Sequence, residues 1–505
     1  MTRTFVELIA GLTVERISGD PSVAISSVCY DSREASLGSM FVALRGGYTD
    51  GHRFLDDARQ RGAVAALVES WHPSLDGYVA AALVGDTRAA LPSVAARYYD
   101  HPSNALGVVG ITGTDGKTTT SYLVDAILRH AGLRTGLIGT VAVRIAGEVV
   151  QHDTRQTTPE SLEVQHLLAE MRSAAVDWAI LEATSHGLVL HRLDECDFDV
   201  GVVTNITHEH LEFHGTIDEY RSAKALLLRK VAGGQRGRPR GVILNVDDEG
   251  ARSVAEAAGV APILWFSSGG TPADIVATGI DARADGTRFV LTTPGGSADV
   301  ALRLVGQFNV DNALAAAGVG HVLGLSPAMI ARGLETLDGV PGRLRRIDLG
   351  QPFTVLVDYA HTPDSLQKTL RLVRGLVSGP VIAVFGSAGE RDRTKRPLQG
   401  EVSARLADFS IFTSEDPRFE DPDLIIAEIA AGADLAGAVE GRDYLQLEDR
   451  REAIREAMRR AESGGAVVLA GKGHEQCIIY GAERRPWDEA NEAIRALTEL
   501  GYGQS

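Results

Sequence analysis

Between Ala105 and about Gly339 short apolar runs alternate with amphipathic helical patterns, and no other feature restricts the fold so tightly. Runs such as ALGVVG, DWAILE and GVVTN are apolar on consecutive residues, as strands buried on both faces are. Alternation of such strands with helices gives a mostly parallel sheet covered on both sides. Beyond the segment Asp338-Gly339-Val340-Pro341-Gly342 the pattern repeats in TVLVDYAH, PVIAVFGSAG, FSIFTSED and AVVLAGKG. Helical patterns such as PDSLQKTLRLVRGL and EDRREAIREAMRRAE follow these runs, so a second, Rossmann-type α/β domain is expected, although no GxGxxG fingerprint follows any of its strands.

A chain of 505 residues is too long for one core. The first hundred or so residues mix short strands (AISSVCYDS, SMFVALRG, VAALVES) with helical pieces such as RFLDDARQRG, and the pattern breaks at Asp100-His101-Pro102-Ser103-Asn104. Three α/β domains are therefore expected, at 1–104, 105–339 and 340–505. Within the second, TRFVLTTPGGSADVALRLVG alternates on both sides of Pro294-Gly295-Gly296 and predicts a hairpin. GGQRGRPRG, around Arg236 and Arg238, reads as a solvated loop. The net charge of −17, spread along the chain, argues against nucleic acid or an anionic membrane surface as partner. Cys29, Cys196 and Cys477 stand far apart, without metal spacing, as reduced thiols do. With no signal-peptide pattern and no apolar run long enough to span a membrane, a cytoplasmic protein is expected.

The strongest motif is Gly110-Ile111-Thr112-Gly113-Thr114-Asp115-Gly116-Lys117-Thr118-Thr119-Thr120, between the strand ALGVVG and the helix TSYLVDAILRHAG. Glycines let loop amides converge on phosphate oxygens, a helix N-terminus favours an anion, a lysine at position 117 reaches the β/γ-phosphates, and Thr118 can ligate Mg²⁺. Ile111 stands where the standard spacing has glycine, and Gly113 sits closer to the lysine instead. The motif by itself says that a nucleoside triphosphate binds. Glu182 ends the buried run DWAILE, where a carboxylate beside a phosphate loop can hold the bridging metal or simply cap the next segment. His208, His210 and His214 follow the next apolar run and suit metal or polar-substrate work, though H-x-H-x-x-x-H without cysteines is a weak zinc pattern. Lys224 lies in the helical pattern DEYRSAKAL, and spacing alone makes it a surface lysine.

Together these pieces resemble the Mur ligases, and most closely the tripeptide-forming MurE type, over nearly the whole chain. The resemblance is carried by Asp31-Ser32-Arg33 with SMFVALRGGYTDGHRF, TGTDGKTTT, Thr157-Thr158-Pro159, ATSHGLVLHR, TNITHEHLEFHG, Lys224 and GQFNVDN. It continues through PGRLRR, DYAHTPD, FGSAGERDRTKRP, Ser414-Glu415-Asp416-Pro417-Arg418 and Gly471-Lys472-Gly473-His474-Glu475. It implies an N-terminal UDP-binding domain, a central ATPase-like domain and a C-terminal amino-acid-binding domain, in a monomer, with ATP between the second and third. Thr112, Gly113, Thr114, Asp115, Gly116, Lys117 and Thr118 would cradle the phosphates. Asn309 would approach the adenine, and Arg343 and Asp358 would come from the hinge and third domain. Lys224 matches a lysine that the family carbamylates, which turns a cation into an oxygen ligand for a second Mg²⁺ beside His210. Ser32 matches a uridine-nucleotide contact; Thr157, Thr158, Ser185 and Arg192 match muramoyl-dipeptide contacts; Asp416, Arg418, Gly471 and Glu475 match the amino-acid site.

The activity implied is ATP-dependent ligation of a diamino acid to UDP-MurNAc-L-Ala-D-Glu in cell-wall precursor synthesis. The D-Glu carboxylate takes the γ-phosphoryl group, the amine displaces phosphate from the acyl phosphate, and a closing third domain excludes water. Folylpolyglutamate synthetase and the other Mur ligases share the phosphate loop but lack the N-terminal DSR…DGH block and GKGHE. A nucleotide-gated binding protein without ligase activity would have a damaged set, whereas Lys117, Glu182, His210 and Lys224 are all present. The chain departs from the family pattern at Leu190 (often Gln), Glu209 (usually Asp), Asp115 (Asn), in VFGSAGERD, and in Glu415-Asp416-Pro417-Arg418 for D-N-P-R. Arg418 matches the position at which the family's meso-diaminopimelate enzymes keep an arginine to clasp the distal carboxylate. Asp416 would repel that carboxylate, attract the ammonium of L-lysine or L-ornithine, and pair with Arg418, as Glu415 also could. The third amino acid thus stays open between these at the sequence level.

Overall fold

The apolar runs form strands as their pattern predicts. In the computed structural model, which describes residues 2–46, 49–150, 156–207, 211–234, 237–283 and 285–503, Gly107–Thr112, Trp178–Glu182 and Val200–Val203 are buried at every residue. The first lies between the other two, in parallel with both: Trp178 stands opposite Gly107 and Glu182 opposite Ile111, while Val203 stands opposite Thr112. From Thr135–Ile138 the parallel order runs through Trp178–Glu182, Gly107–Thr112, Val200–Val203, Gly241–Asn245 and Ile263–Ser267. This register brings the carboxyl ends of the first four strands, near Ile138, Glu182, Thr112 and Val203, to one edge. Open parallel sheets place their ligands there, because strand ends feed loops and helix N-termini on that side.

The chain divides into two compact units, residues 1–278, 290–299 and 310–336 in one, and 279–289, 300–309 and 337–505 in the other. The first also holds a sheet of order Val14–Gly19, Ala80–Val84, Ala65–Val68, Ser39–Val42 and Ser27–Cys29, antiparallel only at its first pair. Around the central sheet Val108, Ile138, Leu168, Leu181, Val203 and Leu227 belong to one core in which each is at most 2% exposed. Removal from water contributes about 1.5–3 kcal/mol for each such side chain. The predicted hairpin forms as Gly286–Thr293 and Gly296–Leu302. Arg238 is half-buried, its guanidinium donating to the Leu106 carbonyl, so that end of the basic loop is not a free surface; Arg236 lies outside the described residues. The second unit contains the strand order Arg345–Ile347, Thr354–Val357, Ala466–Leu469, Val381–Phe385, Phe409–Phe412 and Tyr444–Gln446, parallel except at its first pair. Among the described residues no helix is long and apolar enough to cross a membrane.

Lys224 corrects an expectation. It is 1% exposed rather than a surface lysine. The helix Ile217–Gly233 starts at a Thr216–Glu219 capping box and buries Tyr220, Ala223, Leu227, Leu228 and Val231, a stripe at helical spacing. Lys224 lies on that stripe.

Candidate active site

The strand Gly107–Thr112 hands the chain to a loop whose end, Gly116, adopts φ +88° and caps the helix Lys117–His130. The loop is fastened by the next strand end. Thr114 and Asp115 donate their backbone N–H groups to Asn205 O and Oδ1, each at 2.9 Å, and Thr204 Oγ1 donates to Asp115 O at 2.6 Å. A side chain at Gly113 would put its Cβ 1.9 Å from Thr204 Oγ1, and φ there is +150°, so the departure from standard glycine spacing is structural. Two amides of the expected phosphate cradle are thus engaged by Asn205. Thr112 Oγ1 is buried with no hydrogen-bond partner among the described residues.

Two lysines converge on one carbonyl. Lys117 Nζ donates to Gly113 O and Thr114 O at 2.8 Å each, and Lys224 Nζ donates to Gly113 O at 2.8 Å while standing 4.4 Å from the Tyr220 ring centroid. Tyr220 is held in place through its hydroxyl, 3.2 Å from Thr114 Oγ1. Two ammonium groups on one acceptor repel each other, and an anion at the loop or conversion of one amine to a carbamate relieves that repulsion.

Glu182 is fully buried, and its partners are hydroxyls and an amide rather than cations. Thr118 Oγ1 and Thr140 Oγ1 lie 3.0 and 2.9 Å from Oε2, and Thr140 N donates to Oε1 at 3.1 Å. Gly139 makes the room, since a Cβ there would lie 2.2 Å from Oε1. Glu182 has no ion-pair partner among the described residues, so an all-oxygen set of one carboxylate and two hydroxyls has a charge left to match. These are the donors a hard divalent cation takes.

The expected dipeptide contacts adjoin this set. Thr157 Oγ1 is 3.0 Å from Thr140 Oγ1, and Thr158 Oγ1 donates to Glu182 O at 2.7 Å. Arg192 NH1 donates to Thr158 O at 3.0 Å, and Ser185, 2% exposed, opens a short helix whose cap is Thr184. Ser32 is buried in the turn capped by Asp31, within the smaller sheet's segment. Sequence reasoning missed Thr140, Glu160, Thr184, Thr204, Asn205 and Tyr220. Only the strand-end position of Thr140 and Thr204 hinted at them. His210 and Glu209 lie outside the described residues.

The remaining expected residues belong to the second unit. Asn309 donates its amide to Val305 O at 2.8 Å. Asp358 receives Leu344 N at 2.8 Å and Ala360 N at 3.0 Å, and burial holds its carboxyl above the usual range. Arg343 lies over the Tyr359 ring at 5.5 Å. Asp416 does not pair with Arg418. It accepts from Lys472 Nζ at 2.9 Å and Ile479 N at 3.0 Å, and the same ammonium reaches Glu475 Oε2 at 2.5 Å. Glu415 does not pair with Arg418 either: its Oε2 is buried without a hydrogen-bond partner among the described residues, and burial pushes its carboxyl up to about 7. The expectation that these carboxylates absorb Arg418 is corrected, because buried Lys472 outcompetes it for Asp416. Arg418 has no ion-pair partner among the described residues; its backbone, at φ +54°, is held by Ile479 O. Gly471 follows the strand Ala466–Leu469 at φ +100°.

Comparison with known proteins places this geometry in a family. The model described as "Mur ligase family, catalytic domain" matches residues 24–99, "Mur ligase middle domain" matches 111–320, and "Mur ligase, glutamate ligase domain" matches 342–473. A UDP-N-acetylmuramyl-tripeptide synthetase of Roseiflexus sp. (strain RS-1) is 48% identical over 95% of this chain and 96% of its own length. A UDP-N-acetylmuramoyl-L-alanyl-D-glutamate–2,6-diaminopimelate ligase of Syntrophomonas wolfei is 42% identical over 97% and 98%. A solved structure of a ligase of that same name covers 99% of this chain and 100% of its own, at 30% identity and TM-score 0.70. The chain belongs to the Mur ligase family of ATP-dependent, peptide-bond-forming ligases.

Proposed function

We propose that the chain joins meso-diaminopimelate to a free carboxylate of D-Glu in UDP-N-acetylmuramoyl-L-alanyl-D-glutamate, through an acyl phosphate, as a cytoplasmic monomer with domain boundaries near 104 and 339. The observation that carries the reading is the bonded set Thr118, Thr140 and Glu182 at the foot of a loop whose Gly113 carbonyl takes both Lys117 and the buried Lys224. Bound ATP would supply the phosphoryl group, and Mg²⁺ held by Thr118 and Glu182, with a second ion at His210 and a carbamylated Lys224, would offset the charge gathering there. Lys117 would leave its loop carbonyls for the β/γ-phosphates. Thr157, Thr158, Ser185, Arg192 and Ser32 would hold the UDP-linked dipeptide, so that its carboxylate is fixed before the amine attacks.

For the third amino acid, the Asp416–Lys472 pair removes the repulsion that Asp416 would otherwise exert on a distal carboxylate. Arg418 stays available for bidentate pairing with it. The name of the Syntrophomonas wolfei relative agrees with this choice. Parallel ligation assays with meso-diaminopimelate, L-lysine and L-ornithine test it. Phosphate release should require both the UDP-dipeptide and an amino acid, and kcat/KM for diaminopimelate should exceed the others by at least about tenfold. Arg418→Ala should abolish that preference. Preferred use of lysine or ornithine by the unaltered chain would contradict the proposal.

A further inference from the structure

Glu160 directly follows Thr157-Thr158-Pro159 and stands at the N-cap of the helix Ser161–Ser173, yet its side chain makes no capping bond. Its carboxylate instead takes two guanidinium groups. Arg192 NH2 lies 3.0 Å from Oε1, and Arg88 NH1 lies 3.1 Å from Oε2. The three side chains are shielded, at 14% exposure for Glu160, 10% for Arg192 and 21% for Arg88. Arg88 belongs to the helix Thr87–Tyr98, next to the smaller sheet, so one carboxylate ties that helix to the dipeptide loop. Arg192 is then fixed at two corners, by Glu160 and by Thr158 O, while its Nε is buried with no hydrogen-bond partner among the described residues. A guanidinium plane held this way loses little freedom when it meets a ligand, and a buried unpartnered N–H is a donor awaiting an acceptor.

We propose that Glu160 is a positioning residue for the UDP-linked dipeptide: it fixes the plane of Arg192 and, through Arg88, sets that plane relative to the helix Thr87–Tyr98. The inference rests on the reading of Arg192 as a dipeptide contact. Because Glu160 acts through Arg192, its loss weakens capture of the substrate and leaves the phosphoryl-transfer set intact.

Steady-state kinetics of Glu160→Gln, which keeps the shape and removes the charge, provide the test. KM for UDP-N-acetylmuramoyl-L-alanyl-D-glutamate should rise roughly tenfold, the worth of one charge-assisted hydrogen bond, with kcat and KM for ATP within about twofold. Glu160→Asp should recover part of the loss. Arg88→Met should raise the same KM by less, and the double variant should be no worse than Glu160→Gln alone, because both act through one carboxylate. Melting curves identify any variant that fails to fold, in which case Arg88→Met carries the test by the same KM criterion. Arg192→Lys separates the two layers. A raised KM in Arg192→Lys with an unchanged KM in Glu160→Gln overturns the positioning role; an unchanged KM in Arg192→Lys overturns the reading of Arg192 and the inference with it.

Discussion

The strand ends of the first unit and those of the second are both polar and buried, but they are finished differently. In the first, the Glu182 carboxylate and the hydroxyls of Thr118, Thr140, Thr157 and Thr158 all bond to one another or to backbone, and Thr112 Oγ1 and Arg192 Nε are left beside them without a partner among the described residues. In the second, Ser387 Oγ, Ser414 Oγ, Glu415 Oε2 and His474 Nδ1 are buried with no hydrogen-bond partner among the described residues. Burial drives His474 down to about 4 and Glu415 up to about 7, each toward its neutral form. A network that is satisfied without ligand is preorganised, and its geometry survives the loss of a ligand. A set of unsatisfied buried groups costs stability until something supplies the missing partners. The Glu182 network of the first region is therefore built to hold geometry, with Thr112 Oγ1 and Arg192 Nε left for a ligand, whereas the second region leaves Ser387, Ser414, Glu415 and His474 for a polar molecule.

The largest effect expected from breaking this contrast lies in the first region. Lys117→Ala should reduce kcat by about 10²–10³, as removal of one preorganised charge-stabilising donor does, while calorimetry still detects binding of the UDP-dipeptide. Lys224→Ala should lose activity on a similar scale and regain part of it with added short-chain carboxylic acids, if a carbamate is the working form. Wild-type turnover in either variant would remove that lysine from the chemistry.

The second effect concerns the neutralised carboxyl. Glu415 is raised from 4.5 to about 7 chiefly by burial, against the cations of Lys395, Lys472 and Arg450. A carboxyl raised on folding contributes stability that is present below its unfolded pKa and lost as pH climbs through the folded value. Between pH 4.5 and 7 this should amount to about 3 kcal/mol. Thermal unfolding at pH 5 and pH 8 should show Glu415→Gln with a smaller loss across that interval than the unaltered chain. Identical losses would mean that Glu415 is ionised and paired, which would bring the two regions closer together in kind.

The smallest effect is the cost of opening the satisfied network. Thr140→Val removes the hydroxyl between Glu182 and Thr157 and should lower stability by about 1 kcal/mol in denaturant unfolding. A neutral substitution would show that the first region is looser than its hydrogen bonds indicate.

The same contrast marks what could be read from the sequence. The parallel sheets were legible because their strands are apolar on successive residues, and the phosphate loop because its spacing is local. The burial of Lys224 was also written there, in the 3.6-residue stripe of Tyr220, Ala223, Leu227 and Val231, but a lysine on such a stripe is read as exposed unless the stripe is counted first. The roles of Thr140 and Glu160 were not legible. They depend on strand register, which puts Leu181 opposite Ile138 and so brings Gly139 and Thr140 beside Glu182, and on Arg88, far off in sequence. The same holds for Lys472, whose claim on Asp416 bridges 56 residues and reverses the expected partner of Arg418. Local spacing cannot report which of two cations a buried carboxylate meets.

The central claim is that a substrate carboxylate is activated at the loop holding Lys117 and Thr118 before the amide bond forms. Ligation with UDP-N-acetylmuramoyl-L-alanyl-D-glutamate labelled with ¹⁸O in both carboxylates of its D-Glu tests it directly, by mass spectrometry of the released phosphate. Attack of either carboxylate on the γ-phosphoryl group leaves one labelled oxygen in each phosphate once the amine has displaced it. Phosphate carrying one ¹⁸O per amide bond formed is the predicted result. Unlabelled phosphate released alongside the tripeptide product would contradict the account.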